Sequence, residues 1–177
     1  MLKNKFEFIN IIHITFIIQI KELSMIKLST KGRYGTRLML NLAQHYNNGN
    51  ESVILKNISD EEEISIRYLE QIIIPLKIAR LVKSIRGAGG GYTLSRAPAE
   101  IKLDEILHAL EGSCCLVDCV EDNDYCDHIP ICATYDVWKE ATNMLKKYFG
   151  SITLQDLTET QTKKNRRNKA KTKAKSH

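Results

Sequence analysis

No two of the five cysteines are separated by two residues, so the close C-x2-C pairs of a zinc ribbon are missing. No apolar run reaches the roughly 20 residues that cross a membrane. The nearest candidate, residues 9–20, is interrupted by Asn10, His13, Thr15 and Gln19. Two lysines precede it as in a secretory signal, yet no small-x-small cleavage site comes before Glu22. The glycines of GAGGG are followed by no Walker lysine, and the third glycine of a dinucleotide fingerprint would fall on Tyr92, so a nucleotide site is excluded. No catalytic dyad is visible either: His108 falls in a helical pattern and the other histidines are scattered. There is no internal repeat, and from Thr160 onward there is no acidic residue.

What remains is ordinary for a globular protein, with 43% hydrophobic and 27% charged residues over 177 positions, enough for one main domain with appendages. The net charge of +5 is unevenly spread. Removing the eight Lys and Arg of residues 160–177 leaves 18 basic against 21 acidic residues, a body of net −3 with a cationic tail. That tail is too poor in apolar residues to order itself by burial, so disorder is expected over 160–177. It serves either solubility or non-specific attraction to phosphate backbone, which would be salt-dependent. At the other end, the pattern beginning at Met25 is complete without what precedes it. Residues 1–24 therefore read as an upstream extension, with translation starting at Met25. Five thiols leave one unpaired if disulfides form, so reduced thiols in the cytoplasm are expected.

From Lys31 to Tyr46, Tyr34, Leu38, Met39, Leu42 and Ala43 repeat near a 3.6-residue period, which predicts a helix. NNGN makes a turn, and Leu55–Glu62 a short second helix ending in an acidic, solvated run. Ser65 can cap a third helix whose Ile66, Leu69, Ile73 and Leu76 form one apolar stripe, with Arg67, Tyr68, Glu70 and Gln71 projecting elsewhere. Pro75 is expected to break or kink that helix. LVKSIRGAGGGYTLSR reads as a β-hairpin with a flexible, basic tip. After Pro98 comes a fourth helix with Leu103, Ile106, Leu107 and Leu110 inward. TYDVWKEATNMLKKYFG forms a last long helix. Its seam of Val137, Ala141, Met144, Leu145 and Tyr148 is wide enough for a partner chain as well as the core. ITLQDLTE closes the fold.

Three helices followed by a hairpin with a basic tip describe a winged helix-turn-helix. The fold class expected is mainly α with a small β-hairpin wing, plus a long C-terminal dimerisation helix. About 10 residues of third helix span roughly 15 Å, and a helix fits the major groove, about 12 Å wide. The slim wing can approach the adjacent minor groove, where a narrow A·T tract attracts arginine, and Arg86 is placed for that. Against this stands the plain reading of a glycine-rich hairpin as a turn, and of helix-turn-helix folds as protein-contact modules.

The segments LSTKGRYGTRLMLNLA, ISIRYLEQIIIPLKIARLVKSIRGAGGGYTLSR and LEGSCCLVDCVEDNDYCDHIPICATYDVW occur in an order similar to that of the IscR-like winged-helix regulators, the Rrf-two family. The resemblance runs from about Met25 to about Leu157. It implies a cytoplasmic, homodimeric transcription factor binding double-stranded DNA, acting as a repressor in many cases, and no membrane association. By that resemblance Ser65, Arg67, Tyr68, Glu70 and Gln71 face the major groove. Arg86, Gly87 and Gly89, within the wing from Arg86 to Gly91, enter the minor groove, and Lys31, Arg33 and Tyr34 lie near phosphates. The implied division is 25–98 for the DNA-binding domain and 99–159 for the cysteine loop and dimerisation helix.

The resemblance also implies an iron–sulfur cluster, 2Fe–2S or 4Fe–4S, on Cys119, Cys126 and Cys132. Read without it, the loop CVEDNDYCDHIPIC, with six and then five residues between its thiols, has slack to wrap a cluster, and the alternatives are reduced structural thiols, a zinc site or a disulfide pair. Only Cys115-x3-Cys119 approaches a zinc spacing, and Cys114 and Cys115 read as packing or spare thiols. The chain departs from the family at the fourth ligand. The positions that serve relatives are Tyr135 and Arg33, which leaves Asp118, His128, Cys114, Cys115 or a residue of a second subunit. It departs again at Glu63 and Arg80, which stand where glycine is usual, and at Ala88 in the wing. Outside Gly, Asn and Asp a positive φ is strained, so a differing turn at Glu63 is expected. The function implied is regulation of transcription through cluster, redox or nitric oxide status. Alternatives are an iron–sulfur electron carrier or redox protein, and a DNA-binding regulator without a cluster.

Overall fold

The computed structural model describes residues 27–48, 52–87 and 89–175, so the proposed extension 1–24 and the Ala88 departure lie outside the described residues. Helix α1 (Thr30–Asn47) begins at Ser29, whose hydroxyl accepts from the Gly32 N–H at 3.2 Å, and buries Leu38, Met39, Leu42 and Ala43. Helix α2 (Leu55–Glu62) contributes Ile58 to the same core. It ends at Glu63, which takes φ 54° and ψ 41°. The expected change of turn therefore does not occur: the left-handed conformation is kept and a glutamate adopts it.

Helix α3 (Ile66–Ile78) is capped by Ser65, which accepts from the Tyr68 N–H at 3.3 Å. Its buried stripe is Leu69, Ile72, Ile73 and Leu76, while Ile66 sits exposed at the first turn. The expected stripe is thus shifted away from the N-terminus. Pro75 does not break the helix. It removes one bond, the one to the Gln71 carbonyl, within a turn of the end. The Ala79 N–H to Pro75 carbonyl (2.9 Å) and Leu81 N–H to Leu76 carbonyl (3.0 Å) bonds close the helix beyond it.

Strands β1 (Val82–Ile85) and β2 (Gly91–Leu94) pair antiparallel in the register Val82–Leu94 to Ile85–Gly91. Val53, from the segment before α2, adds a bridge to Tyr92 with N···O distances of 2.9 and 2.8 Å. Glycine at 91 permits this close approach, since a Cβ there would lie 2.5 Å from the Val53 carbonyl oxygen.

A 3₁₀ turn (Pro98–Glu100) leads to α4 (Leu103–Glu111), which buries Ile106, Leu107 and Leu110 and leaves Leu103 half-buried. The cysteine loop carries only a short helix α5 (Asp118–Glu121) and a 3₁₀ turn (Ile129–Ile131). Helix α6 (Ala133–Gly150) follows, and α7 (Leu154–Lys175) ends the described chain. Leu154 returns to the core beside Ile101, each fully buried, through a 2.9 Å bond from its N–H to the Ile101 carbonyl.

Residues 160–175 are helical where disorder was expected, and residues 176–177 lie outside the described residues. Past Gly150 there is no glycine or proline, and the segment is rich in the good helix formers Lys, Arg, Gln and Ala. Its start is also nucleated. The Thr153 N–H donates to Asp156 Oδ2 (2.8 Å) and the Asp156 N–H to Thr153 Oγ1 (3.1 Å), a capping box, and Leu154 and Thr158 are buried. Reasoning from burial alone overlooked both.

Candidate nucleic-acid interface and cysteine loop

The N-terminal ends of α1 and α3 meet through Tyr34 and Tyr68, whose rings lie edge to face with centroids 5.9 Å apart. The guanidiniums of Arg33 and Arg37 sit over Tyr34 at 5.5 and 5.7 Å. Ser65, Arg67, Glu70 and Gln71 are exposed on α3, together with Ile74 and Ile78, at 57% and 78% exposure. Nothing in the described chain covers this outward face, although isoleucines there have an apolar surface to hide. Lys31 is half-buried and Arg33 exposed, on the same end of α1.

The wing is tied to α3 by Lys77, whose ammonium lies 5.9 Å from the Tyr92 ring centroid. At its tip Arg86, Gly87 and Gly89 are exposed, Gly87 takes φ 110°, and the Ser52 hydroxyl donates to the Gly89 carbonyl at 2.5 Å. The residues expected at DNA thus lie at the start of α1, the start of α3 and the wing tip, with Lys31, Tyr34 and Tyr68 only partly exposed. Arg37 was missed by the sequence reading. It holds the turn, with Nε 2.9 Å from Glu62 Oε2 and Nη2 bonded to the Glu62 carbonyl. The signal was its spacing of three from Tyr34 and four from Arg33, which sets all three on one helix face.

The cysteine loop is pinned at two points on α6. The Leu116 N–H donates to Oγ1 of Thr142, a fully buried side chain, at 3.3 Å. Tyr135 donates its hydroxyl proton to Asn123 Oδ1 at 3.2 Å. Between these points residues 121–128 are exposed.

Cys119 and Cys132 are half-buried and Cys126 exposed. Among the described residues no three His, Cys, Asp or Glu side chains are gathered closely enough to hold a metal ion. The charge and hydrogen bond of Asp118 push the Tyr125 phenol up, with smaller contributions from burial and from Cys119 and Cys126. The Thr134 hydroxyl, 3.2 Å from Cys132 Sγ, and the Tyr135 N–H hold that thiol below its usual range. These are soft thiol donors of the kind that hold iron–sulfur clusters, on a loop whose middle is exposed. Cys114 and Cys115 are half-buried beside Lys146, which donates to Cys115 Sγ at 3.6 Å. Burial pushes the Cys114 thiol up, with Lys146 partly offsetting it.

No helix among the described residues is long and apolar enough to cross a membrane. A capped helix with an uncovered polar face, a preceding helix that braces it and a basic hairpin beside it define a winged helix-turn-helix transcriptional regulator. Residues 28–160 match the Rrf2 family, described as an iron-dependent transcriptional regulator. The chain is 36% identical over 131 residues to the protein rrf2 of Nitratidesulfovibrio vulgaris, covering 74% of this chain and 86% of that one. Its fold is similar to the structure of CymR, the global cysteine regulator of B. subtilis, with TM-score 0.65 and 39% identity over 77% of this chain and 98% of the other. It is similar also to T. potens IscR, with TM-score 0.63 and 40% identity over 76% of this chain and 88% of the other. The chain belongs to the Rrf2 family of DNA-binding transcriptional regulators, which are not enzymes.

Proposed function

We propose that this chain is a cytoplasmic, homodimeric regulator whose grip on double-stranded DNA responds to an iron–sulfur cluster on Cys119, Cys126 and Cys132. Residues 25–98 read the operator, with Arg67, Glu70 and Gln71 toward base edges and Arg86 toward the minor groove. Residues 99–159 sense and dimerise. The observation that carries this reading is the double attachment of the cysteine loop to α6, through Thr142 and Tyr135. Helix α6 also presents Val137, Met144 and Tyr148 at 57–62% exposure along one seam, which suits a second copy of the chain. When bound, the cluster supplies a redox-active centre that oxygen, nitric oxide or iron shortage can remove. A change in the loop is passed to α6, and α6 sets the separation of the two recognition helices. Half-sites about 34 Å apart tolerate little error in that separation. The fourth ligand would come from Asp118, His128, Cys114, Cys115 or a residue of the second subunit.

The similarity to CymR and the open arrangement of the thiols support a second reading, a DNA-binding regulator of the same fold that works without a cluster. Anaerobic purification followed by iron, inorganic sulfide and zinc analysis separates the two. The proposal expects iron and sulfide in near-equal amounts, lost in Cys126→Ser, with a change in operator affinity when the cluster is removed. Colourless protein without sulfide, holding its operator unchanged, leaves the cluster-free regulator.

A further inference from the structure

The cationic end of α7 lies outside the matched family region, which stops at residue 160, and no interaction described above uses it. Its course is fixed by its contacts with α1. Near its start, Gln155 Oε1 and Thr158 Oγ1 accept from Asn47 Nδ2, at the C-terminal end of α1. Further on, Gln161 and Asn165 line one cleft with Arg37, Leu40 and Glu62. The two helices therefore run antiparallel. Arg166 lines a cleft with Gln44, Asn47 and Asn48, and residues 167–175, about 13 Å of helix, extend beyond it.

Lys163, Lys164, Arg166, Arg167, Lys169 and Lys171 are all exposed, and none forms an ion pair with a described side chain. The acid beside them, Glu159, lines a cleft with Lys163 and Arg166 and accepts from Gln155 Nε2 at 3.3 Å, while Glu62 is engaged by Arg37 and Asn41, and Glu61 by Asn41 and His45. Glu159 is the last acid in the chain. Lys163 with Arg167, and Arg167 with Lys171, are like charges four residues apart, which repel on a helix surface. A solvated face would set its charges on one side and intersperse both signs. Here one sign covers the helix on every side but the one bearing Gln161 and Asn165, which faces α1.

We infer that residues 163–175 form a sequence-independent arm that runs against the phosphate backbone of duplex DNA beside the operator, adding affinity without adding base discrimination. The inference rests on the DNA-binding reading above. Neutralising phosphates releases counterions, so each contact adds about 0.9 to the magnitude of the salt slope of log affinity. Binding would also relieve the repulsion among the arm's own cations.

The test compares the full chain with a variant in which those six side chains are changed to Gln, which preserves helix propensity. Fluorescence anisotropy over a series of KCl concentrations measures binding to a random-sequence duplex and to the duplex that the full chain selects from a random pool. The inference expects the variant's slope to be shallower by roughly 2–4 on both duplexes, with affinity at low salt down at least tenfold and the selected sequence unchanged. Equal slopes in the two proteins overturn it, as does a loss seen on RNA hairpins and not on duplex DNA. If the full chain selects no sequence from the pool, the DNA-reading proposal fails instead. Matching thermal melts of the two proteins, anchored by Leu154 and Thr158, show that the comparison is of folded states.

Discussion

Glu63 and Arg80 are the two non-glycine residues with positive φ among the described residues, at 54° and 57°. Both stand where the family resemblance leads one to expect glycine, and each holds the left-handed conformation at a steric cost. A left-handed L-residue costs about 1–2 kcal/mol, and glycine returns about 0.4–1 kcal/mol of that through the unfolded chain. Glu63→Gly and Arg80→Gly should each raise the melting temperature, by about 1–4 °C, with additive effects, whereas Glu63→Ala should not. Calorimetry of the three variants checks this. At the same scale, burial raises the Glu105 carboxyl, but the hydrogen bond from Arg96 and the Lys102 N–H outweigh it and hold it below its ordinary value. A depressed folded value stabilises the fold above the unfolded pKa, about 4.3, and that stability is lost as pH falls through the folded value. Arg96→Ala should therefore melt lower than the parent at pH 7, and part of that gap should close on acidification. Both side chains are more than a third exposed, so the pH-dependent part is at most about 1 kcal/mol.

At the scale of elements, what was legible in the sequence was local. Ser65 caps α3 because a serine before an apolar stripe can do little else, and the hairpin follows from glycines between two short apolar runs. Non-local partners were not legible. Val53 bridges to Tyr92 from 39 positions away in a segment with no strand pattern, and Arg37 meets Glu62 across a turn. Pro75 and the cationic tail misled for a shared reason. A rule about one residue or one composition was applied without asking what the neighbouring turn supplies. In α3 the core contacts of Leu76 hold the final turn, and in α7 the Thr153–Asp156 box starts a helix that burial alone would not. Of the expected α6 seam, Val137, Met144 and Tyr148 are exposed and Ala141 and Leu145 half-buried. Met144, 61% exposed, touches little within one chain, so Met144→Glu should leave the thermal stability of the isolated fold nearly unchanged. Sedimentation should show a monomer where the parent is a dimer, and a dimer in both would remove α6 from the interface.

At the scale of the whole molecule, the proposed regulation requires a path from the cysteine loop to α3, more than one element away. The path in this fold is short: loop to α6, α6 to α4, and α4 to α1 and α3, the helices that present the reading surface. Thr142 is the narrowest point on it, a fully buried hydroxyl that accepts from the Leu116 N–H. Thr142→Val keeps the shape and removes the acceptor, leaving that N–H without a partner at a cost of about 1–3 kcal/mol. Two functions then separate. The thiols are untouched, so iron and sulfide content should match the parent. The ratio of operator affinities with and without the cluster should fall toward one, because a ligand shifts an equilibrium only through its differential affinity for the two states. Anisotropy titrations of cluster-loaded and cluster-free protein, parent and variant, measure that ratio directly. An unchanged ratio would place the coupling at the Tyr135–Asn123 contact, and Tyr135→Phe is the variant that should then abolish it.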